Sequence, residues 1–339
     1  MRQLQTENAV GRILAYDTTI VDRNTTGTLL KRGHTITEED VAILKNSGVY
    51  KVWIEDEEKS TKIVYEWDIP NYLSRKIADV DTIDVLNREH GESYLFSKIP
   101  GLVNIRVAPL IRLNQNGSVL LITRQKFTAV GAGELIGVVD VVPLSLTMDR
   151  LKEIYQSCAK NIVRVLNFKY HKIGLVITGS EIYEGRKQDQ YYNIIAEKAV
   201  KYGWRITYST VVPDDEEKIV LAIREAREKG VEAIILTGGM SVDASDRTPA
   251  AVRSLGAEII AYGIPVKPTT MSLVSYWDRL PIFGISAGGI FYRDLNAIDV
   301  IFTLMMAGLT PTRRGIAALG NGGILGNFKV PTSNNIRVE

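Results

Sequence analysis

The sequence predicts an α/β protein in which a three-layer domain built on a parallel sheet is preceded by a smaller β-rich, α+β region. Two observations predict this division. From residue 172 onward, short apolar segments alternate with longer amphipathic ones, and such alternation indicates a parallel sheet with helices on both faces. Between residues 103 and 142 the sequence instead has alternating β-type residues, which indicate a small β structure.

Each element of the α/β half follows from its local pattern. Short apolar runs indicate buried strands, and apolar residues at helical spacing indicate amphipathic helices. The predicted strands cover residues 172–178, 205–212, 233–237 and 281–285. The predicted helices lie near 190–202 and 215–229, begin at 249, and cover about 290–306.

The front half is predicted to hold smaller elements. A short helix is expected between strands around residues 12–15 and 51–54, because Thr37 and Asp40 resemble a capping box and Gly48 stops the helix. A charged helical connector is expected over about 60–96.

Two further patterns complete the front half and divide the chain. The segment 114–117, Asn-Gln-Asn-Gly between two apolar runs, predicts a hairpin. Apolar residues at helical spacing predict an amphipathic linker helix over 148–166. The predicted regions are a β-rich region with its connector at 1–147, the linker helix at 148–166, the α/β domain at 167–310 and a tail at 311–339.

Composition excludes several classes of protein. The 41 basic and 39 acidic side chains are interspersed and give a net charge of +2, so neither nucleic acid nor a membrane is an expected partner. The polar start and the absence of an apolar run near the roughly 20 residues needed to span a bilayer predict a cytoplasmic protein. With Cys158 as the only cysteine and three scattered histidines, a disulfide within the chain and a structural zinc site are excluded. No P-loop or serine nucleophile elbow is present.

The most informative motif follows the strand predicted at 233–237. Gly238 and Gly239 allow a ligand to approach the backbone closely, and Asp243 and Asp246 offer the oxygen ligands that Mg²⁺ prefers. Thr248 is expected to cap a new helix, with its free N–H groups towards the same loop. The motif predicts a site for a phosphate group and a divalent cation. The alternative is a tight βα turn with solvated aspartates.

A second loop of similar character favours the functional interpretation. Strand 172–178 runs into a polar segment that extends from Gly179 to Asp189 and is followed by a helix. In one parallel sheet both loops would open at the same carboxyl edge, where ligands of such folds bind.

Taken together, these segments resemble the molybdopterin-binding domain shared by enzymes of molybdenum cofactor biosynthesis. The front half also resembles the branch of that family that inserts molybdenum, the molybdopterin molybdenumtransferases. The segments that carry the resemblance are residues 178–189, 211–215, 236–249 and 284–289 in the α/β half, and 9–17 and 30–40 in the front half.

The resemblance implies a ligand, a metal and a set of site residues. The ligand would be molybdopterin or its adenylate, and Mg²⁺ would support cleavage of the adenylate while molybdate is inserted. Relatives in this branch are commonly homodimers. Asp189 and Asp246 would be the catalytic, metal-binding carboxylates. The ligand-binding residues would be Thr178, Gly179, Glu181, Thr237, Gly238, Gly239, Met240, Ser241, Arg247, Ser286, Gly288 and Gly289.

Two segments depart from the family pattern and leave other functions open. The third loop, residues 285–290, reads Ile-Ser-Ala-Gly-Gly-Ile where the family usually has Leu-Pro-Gly, and the segment 267–271, Lys-Pro-Thr-Thr-Met, stands where the family has a Pro-Gly pair. These departures favour a non-catalytic carrier or sensor of the pterin or of molybdate. A third interpretation is a pyridine-nucleotide or ADP-ribose hydrolase built on the same domain.

Overall fold

The computed structural model describes residues 1–22, 25–55, 63–88, 90–240, 247–286, 289, 292–326 and 328. By its internal contacts the chain divides into two compact units, residues 1–63 and 64–339. Among the helices in these ranges, none is both long and apolar enough to cross a membrane.

The first unit is a small α+β structure. Strand β1 pairs antiparallel with β4, and β2 pairs antiparallel with β3. Its core is a group of fully buried aliphatic residues that includes Leu14, Leu44 and Ile54. Its elements are β1 (Arg2–Gln5), β2 (Thr18–Asp22), β3 (Thr25–Leu30), α1 (Glu38–Asn46) and β4 (Lys51–Ile54).

The capping box predicted for α1 is confirmed. The Thr37 hydroxyl accepts a hydrogen bond from the Asp40 N–H, and the Asp40 carboxylate accepts from the Thr37 N–H at 2.8 Å. His34 lies 2.7 Å from the same carboxylate oxygen. Burial raises the pKa of Asp40, but the hydrogen bonds from His34 and Thr37 outweigh it and leave the pKa below its ordinary value.

This cap makes the stability of α1 dependent on pH. Because the folded state holds Asp40 ionised, its contribution is complete above the unfolded pKa of about 4 and is lost as the pH falls through the lower folded value. We expect the hydrogen-exchange protection of the α1 amides to fall between pH 5 and pH 3. Asp40→Asn should remove most of this dependence. Equal protection at both pH values in the unmodified chain would contradict the prediction.

The second unit begins with a β-rich part. Its sheets have the strand orders β6-β7-β11-β9, β10-β8-β13 and β12-β5. The elements are β5 (Ile63–Tyr65), α2 (Ile69–Ile77), β6 (Ile83–Asn87), β7 (Glu92–Ser97), β8 (Gly101–Ile105), α3 (Val107–Asn114), β9 (Val119–Thr123), β10 (Ala129–Val130), β11 (Leu135–Val141), β12 (Ser145–Thr147), α4 (Met148–Ser157) and β13 (Val163–Asn167).

Three local predictions for this part are wrong. Within its described residues, 63–88 and 90–96, the connector expected over about 60–96 is helical only in α2 and otherwise contributes strands. The hairpin around 114–117 is a helix-to-strand connection, because the Asn114 side chain bonds both the N–H and the C=O of Leu121 and occupies that edge of β9. The linker helix over 148–166 ends at Ser157, since residues 163–167 pair with β8 instead.

The α/β part has the predicted parallel sheet, extended by two antiparallel strands. In the order β15-β14-β16-β19-β18-β17, the first four strands run parallel, whereas β18 and β17 alternate in direction. The strands are β14 (Lys172–Thr178), β15 (Arg205–Val212), β16 (Ala233–Thr237), β17 (Glu258–Tyr262), β18 (Ser272–Trp277) and β19 (Leu280–Ile285).

Helices cover both faces of this sheet, so the predicted three-layer fold is confirmed. Side chains of Leu175 and Ile177 pack with α6 and with the helical segment 298–306, whereas Val176 and Leu236 pack with α7 and α8. The helices are α5 (Ser180–Tyr183), α6 (Tyr191–Tyr202), α7 (Glu216–Glu228), α8 (Thr248–Ser254), a π-helical turn (Ile298–Phe302), α9 (Thr303–Met306) and α10 (Arg313–Ala318).

Two predictions for this half need correction. In the segment expected to be a helix over about 290–306, residues 292–296 are irregular, and helical structure runs from residue 297 through the π-helical turn to Met306. The segment 311–339, predicted only as a tail, contains α10.

A buried ion pair ties the π-helical turn to α6. Both carboxylate oxygens of Asp299 accept from the Lys198 ammonium, at 2.9 and 2.7 Å. The Tyr202 hydroxyl and the Asn296 N–H donate to the same carboxylate. Lys198 is 5% exposed and Asp299 is 4% exposed. A buried carboxylate with this set of donors is fully paired, and it fixes the position of the turn on the sheet.

Candidate functional site

The carboxyl ends of the four parallel strands meet at one edge of the sheet. In register, Thr178 of β14 lies beside Val212 of β15, and Thr237 of β16 lies beside Ile285 of β19. The chain passes from β14 to β15 on one side and then crosses back to β16 on the other side of β14. Ligands of open α/β sheets bind at such a switch point. The crevice between β14 and β16 is therefore the candidate site.

The diglycine turn after β16 borders this crevice. Gly238 and Gly239 have φ angles of +82° and +57°, which favour glycine. A Cβ atom on Gly238 would stand 2.3 Å from the Thr178 carbonyl oxygen, and one on Gly239 would stand 2.6 Å from the Thr248 hydroxyl oxygen. The turn therefore requires glycine at both positions, for conformation and for space.

Two adjacent backbone donors of the turn have no partner among the described residues. The Gly238 N–H donates to the Ile285 carbonyl at 3.3 Å. The N–H groups of Gly239 and Met240 have no acceptor in the part of the chain that the structure describes. Successive N–H groups in a turn with positive φ form a concave site for an anion. The geometry supports the predicted approach of an anionic ligand to the diglycine backbone.

Asp214 also lies in the crevice, although it is not among the residues predicted from the sequence. Its Oδ2 accepts from the N–H and the hydroxyl of Ser180, at 2.8 and 3.1 Å. Its Oδ1 lies 3.5 Å from the point where a Cβ of Gly239 would stand. The signal for this residue was its place directly after a predicted parallel strand, where Gly179 and Gly238 also lie.

The loop after β14 carries two predicted carboxylates. The Glu181 carboxylate folds back to within 3.3 Å of the Cβ position of Gly179, and it lies 3.8 Å from the Lys187 ammonium. The Asp189 carboxylate accepts from the N–H groups of Tyr191 and Tyr192, so it caps the start of α6. Burial raises the pKa of Tyr191 to about 12, and the charges of Glu181 and Asp189 add to the shift.

Other predicted residues serve the scaffold of the site. Met240 is buried, and its sulfur packs where a Cβ of Gly284 would stand. The Thr237 hydroxyl is buried and has no hydrogen-bond partner within the described ranges. In the third loop, the Ser286 N–H donates to the Met271 carbonyl and the Gly289 N–H donates to the Ser286 carbonyl.

Arg247 and Thr248 lie at the start of α8, and Thr248 has a different role from the predicted one. Arg247 is exposed, and it is the residue before the first helical residue. Thr248 is that first helical residue and not the predicted N-cap. Its hydroxyl bonds the Gly238 carbonyl instead of a helical N–H, because the diglycine turn lies directly against it. Ser241, Asp243, Asp246 and Gly288 lie outside the described residues.

The described residues do not form a complete metal site on their own. Within the described ranges, no group of three or more histidine, cysteine, aspartate or glutamate residues could hold a metal ion. Mg²⁺ usually takes one or two protein carboxylates and completes its shell with phosphate oxygens and water. The single carboxylate oxygen of Asp214 that faces the turn fits that kind of site.

Comparison with known families identifies the domain that carries this crevice. Residues 174–314 match the family described as "Probable molybdopterin binding domain". The match covers the α/β half of the chain and includes the diglycine turn, Asp214 and the loop after β14. Residues 3–56 match a domain of unknown function.

Curated relatives resemble parts of the chain. A molybdopterin molybdenumtransferase from Bacillus subtilis is 26% identical over 121 residues, which cover 34% of this chain and 28% of the relative. A molybdopterin adenylyltransferase from Pyrococcus furiosus is 25% identical over 136 residues, which cover 40% of this chain and 78% of the relative. A CinA-like protein from Mycobacterium tuberculosis is 33% identical over 90 residues, which cover 26% of this chain and 21% of the relative. The chain thus spans less than a third of the length of two of these relatives.

Proposed function

We propose that the chain binds molybdopterin or its adenylate in the crevice, with a phosphate group of the ligand at the diglycine turn. The N–H groups of Gly239 and Met240, which have no acceptor among the described residues, carry this proposal. They lie at the switch point of the sheet, inside the molybdopterin-binding domain. The N–H groups of a turn suit a phosphate, since they supply donors without adding a side chain.

The acidic residues support a role for Mg²⁺ beside that phosphate. A carboxylate next to a bound phosphate repels it unless a cation lies between them. Asp214 would hold the cation through Oδ1, and Asp246 is proposed as a second ligand. Asp189 is proposed as a further ligand, because its two backbone hydrogen bonds leave lone pairs unused. Bound Mg²⁺ would neutralise the phosphate charge.

For the reaction, we propose Mg²⁺-dependent insertion of molybdate into adenylated molybdopterin. Similarity to a molybdopterin molybdenumtransferase supports this choice. Ligand binding would bring molybdate, the pterin and the carboxylates together, and the buried sheet edge would limit access of water. We also propose that the chain acts as a homodimer, which sedimentation of the purified protein tests.

One observation favours a second candidate, a carrier or sensor without turnover. The described N–H groups of the third loop, at Ser286 and Gly289, both donate to backbone carbonyls and offer nothing to a ligand. This loop also departs from the family pattern. A site with one free pair of N–H groups could bind a phosphate while lacking the donors needed for a reaction.

Asp214→Asn tests the cation-dependent site. With Mg²⁺, calorimetry should show at least about tenfold weaker binding of adenylated molybdopterin, since a cation ligand is lost. Without Mg²⁺, binding should be equal or tighter, because a repelling charge is gone. Asp215→Asn is the matched control, since Asp215 is exposed and only caps α7. An asparagine cap keeps that role. The same Mg²⁺ dependence in Asp214→Asn and unmodified protein would refute the role of Asp214.

The same experiment separates the candidate functions. AMP release after molybdate is added, abolished by Asp246→Ala, would establish the insertion reaction. Binding without AMP release would establish a carrier or sensor. Failure to bind, together with hydrolysis of ADP-ribose, would favour the nucleotide hydrolase and overturn the proposal.

A further inference from the structure

The hydroxyl and N–H of Thr248 both contact the diglycine turn. We propose that Thr248 is a positioning residue that orients the peptide groups of the turn and so creates its site for a tetrahedral oxyanion. This inference rests on the proposed function, because it concerns the same crevice. It assigns the orientation of the two N–H groups to the hydroxyl and the backbone N–H of one residue, which does not touch the ligand.

Three successive carbonyl groups of the turn are bound from the scaffold side. The Thr178 hydroxyl donates to the Thr237 carbonyl at 2.8 Å, and the Thr248 hydroxyl donates to the Gly238 carbonyl at 3.1 Å. The Thr248 N–H donates to the Gly239 carbonyl at 3.3 Å. Thr248 therefore binds two of the three carbonyls by itself.

These bonds dictate where the free N–H groups point. In a trans peptide the C=O and the N–H point in opposite directions. The carbonyls of Gly238 and Gly239 both point to Thr248, so the N–H groups that share their peptide planes, those of Gly239 and Met240, point away from it. Two adjacent N–H groups directed to the same side form the concave anion site.

The Thr248 hydroxyl matters because the two glycines do little by themselves to restrict rotation of their peptide groups. Both glycines can populate positive and negative φ, so their peptide planes are fixed only by external hydrogen bonds. Thr248 is fully buried and lies 2.6 Å from the Cβ position of Gly239, too close for another group to intervene. Without the hydroxyl, the Gly238 carbonyl would lose its partner, and the turn could rotate to find another.

Thr178 holds the turn from its other end but has a different effect. Its hydroxyl bonds the Thr237 carbonyl, and the N–H of that peptide already donates to Ile285. That peptide contributes no free donor. The two hydroxyl oxygens lie 3.4 Å apart, and each proton is used by a carbonyl. The orientation of the Gly239 and Met240 N–H groups, and with it the binding of an oxyanion, therefore depends on Thr248 more than on Thr178.

Thr248→Val tests the proposal, with inorganic phosphate and molybdate as separate probes of ¹⁵N-labelled full-length protein. Both are tetrahedral oxyanions, and comparing them shows which one the turn prefers. In unmodified protein, the amide signals of Gly239 and Met240 should shift on titration. In Thr248→Val we expect roughly tenfold weaker binding, or about 1.4 kcal/mol, with smaller shifts of those two signals. Thr248→Ser keeps the hydroxyl and should restore both.

Thr303→Val is the matched control. Thr303 is also fully buried, and its hydroxyl likewise donates to a backbone carbonyl, that of Asp299, at 2.8 Å. Thr303→Val should lose about as much thermal stability as Thr248→Val, and it should bind both probes with the affinity of the unmodified protein. Equal affinity in Thr248→Val and unmodified protein would overturn the inference, as would failure of Thr248→Ser to restore binding. If unmodified protein binds neither probe nor adenylated molybdopterin, the proposed function itself fails.

Discussion

Replacing Gly238 by alanine should abolish ligand binding and destabilise the second unit by at least about 3 kcal/mol. A residue with a Cβ pays roughly 1–2 kcal/mol at positive φ. The Cβ would also stand 2.3 Å from the backbone oxygen of Thr178, which no side-chain rotation can relieve. Moving either strand end would disturb the hydrogen bonds that orient the turn. Calorimetry with adenylated molybdopterin and denaturant unfolding measure the two effects.

Gly256→Ala provides the matched control for this substitution. Gly256 has the same φ of +82°, but nothing lies within 4 Å of its Cβ position. It should show the conformational cost alone, about 1–2 kcal/mol, and leave ligand binding unchanged. If both variants lose the same stability and both bind, the close contact at Gly238 has no role.

Lys198→Met should be the most destabilising change outside the crevice. It removes the cation from a carboxylate that is 4% exposed, and the remaining donors from described residues are the Tyr202 hydroxyl and the Asn296 N–H. Breaking a buried pair from one side typically costs about 3–5 kcal/mol. Urea unfolding of the full chain, followed by circular dichroism, should show this loss as a lower midpoint.

Two further variants isolate the buried charge as the cause. Lys201→Met removes an exposed lysine of the same helix, which pairs with Glu134 at 3.1 Å, and should cost less than about 1 kcal/mol. Adding Asp299→Asn to Lys198→Met removes the uncompensated charge and should recover part of the lost stability. A double variant that is less stable than Lys198→Met would show that the lost contacts, and not the buried charge, cause the effect.

The sequence predicts the central parallel strands β14 and β16 because each is apolar over most of its length. Both faces of these strands are covered, so residues 173–177 and 233–236 appear as unbroken apolar runs. The antiparallel strands β17 and β18 were missed, since Ser275 and the residues around it mix polar and apolar types. Residues 158–166 were assigned to a helix because their apolar residues fit helical spacing, whereas pairing with β8 makes 163–167 a strand.

The site was predictable to the extent that it depends on backbone. Glycines after a strand indicate a turn, and the structure gives Gly238 and Gly239 the expected positive φ. Side-chain partners depend on which loops meet, and one sequence does not specify that. Asp214 bonds Ser180, 34 positions away, and Thr248 bonds Gly238 instead of capping its own helix. The capping box at Thr37 was predictable because both partners lie within one turn.

The anchoring of Met240 and Thr248 has a consequence for how ligand preference could change. The Met240 side chain packs against Gly284 of the sheet, and Thr248 is hydrogen-bonded to the turn. The chain is therefore anchored on both sides of residues 241–246. The entropic cost of closing a loop rises by only about 0.6 kcal/mol when its length doubles. Because both neighbours are anchored, residues 241–246 could be replaced, in evolution or by design, while the oxyanion turn is retained. New ligand classes would then require few changes elsewhere in the scaffold.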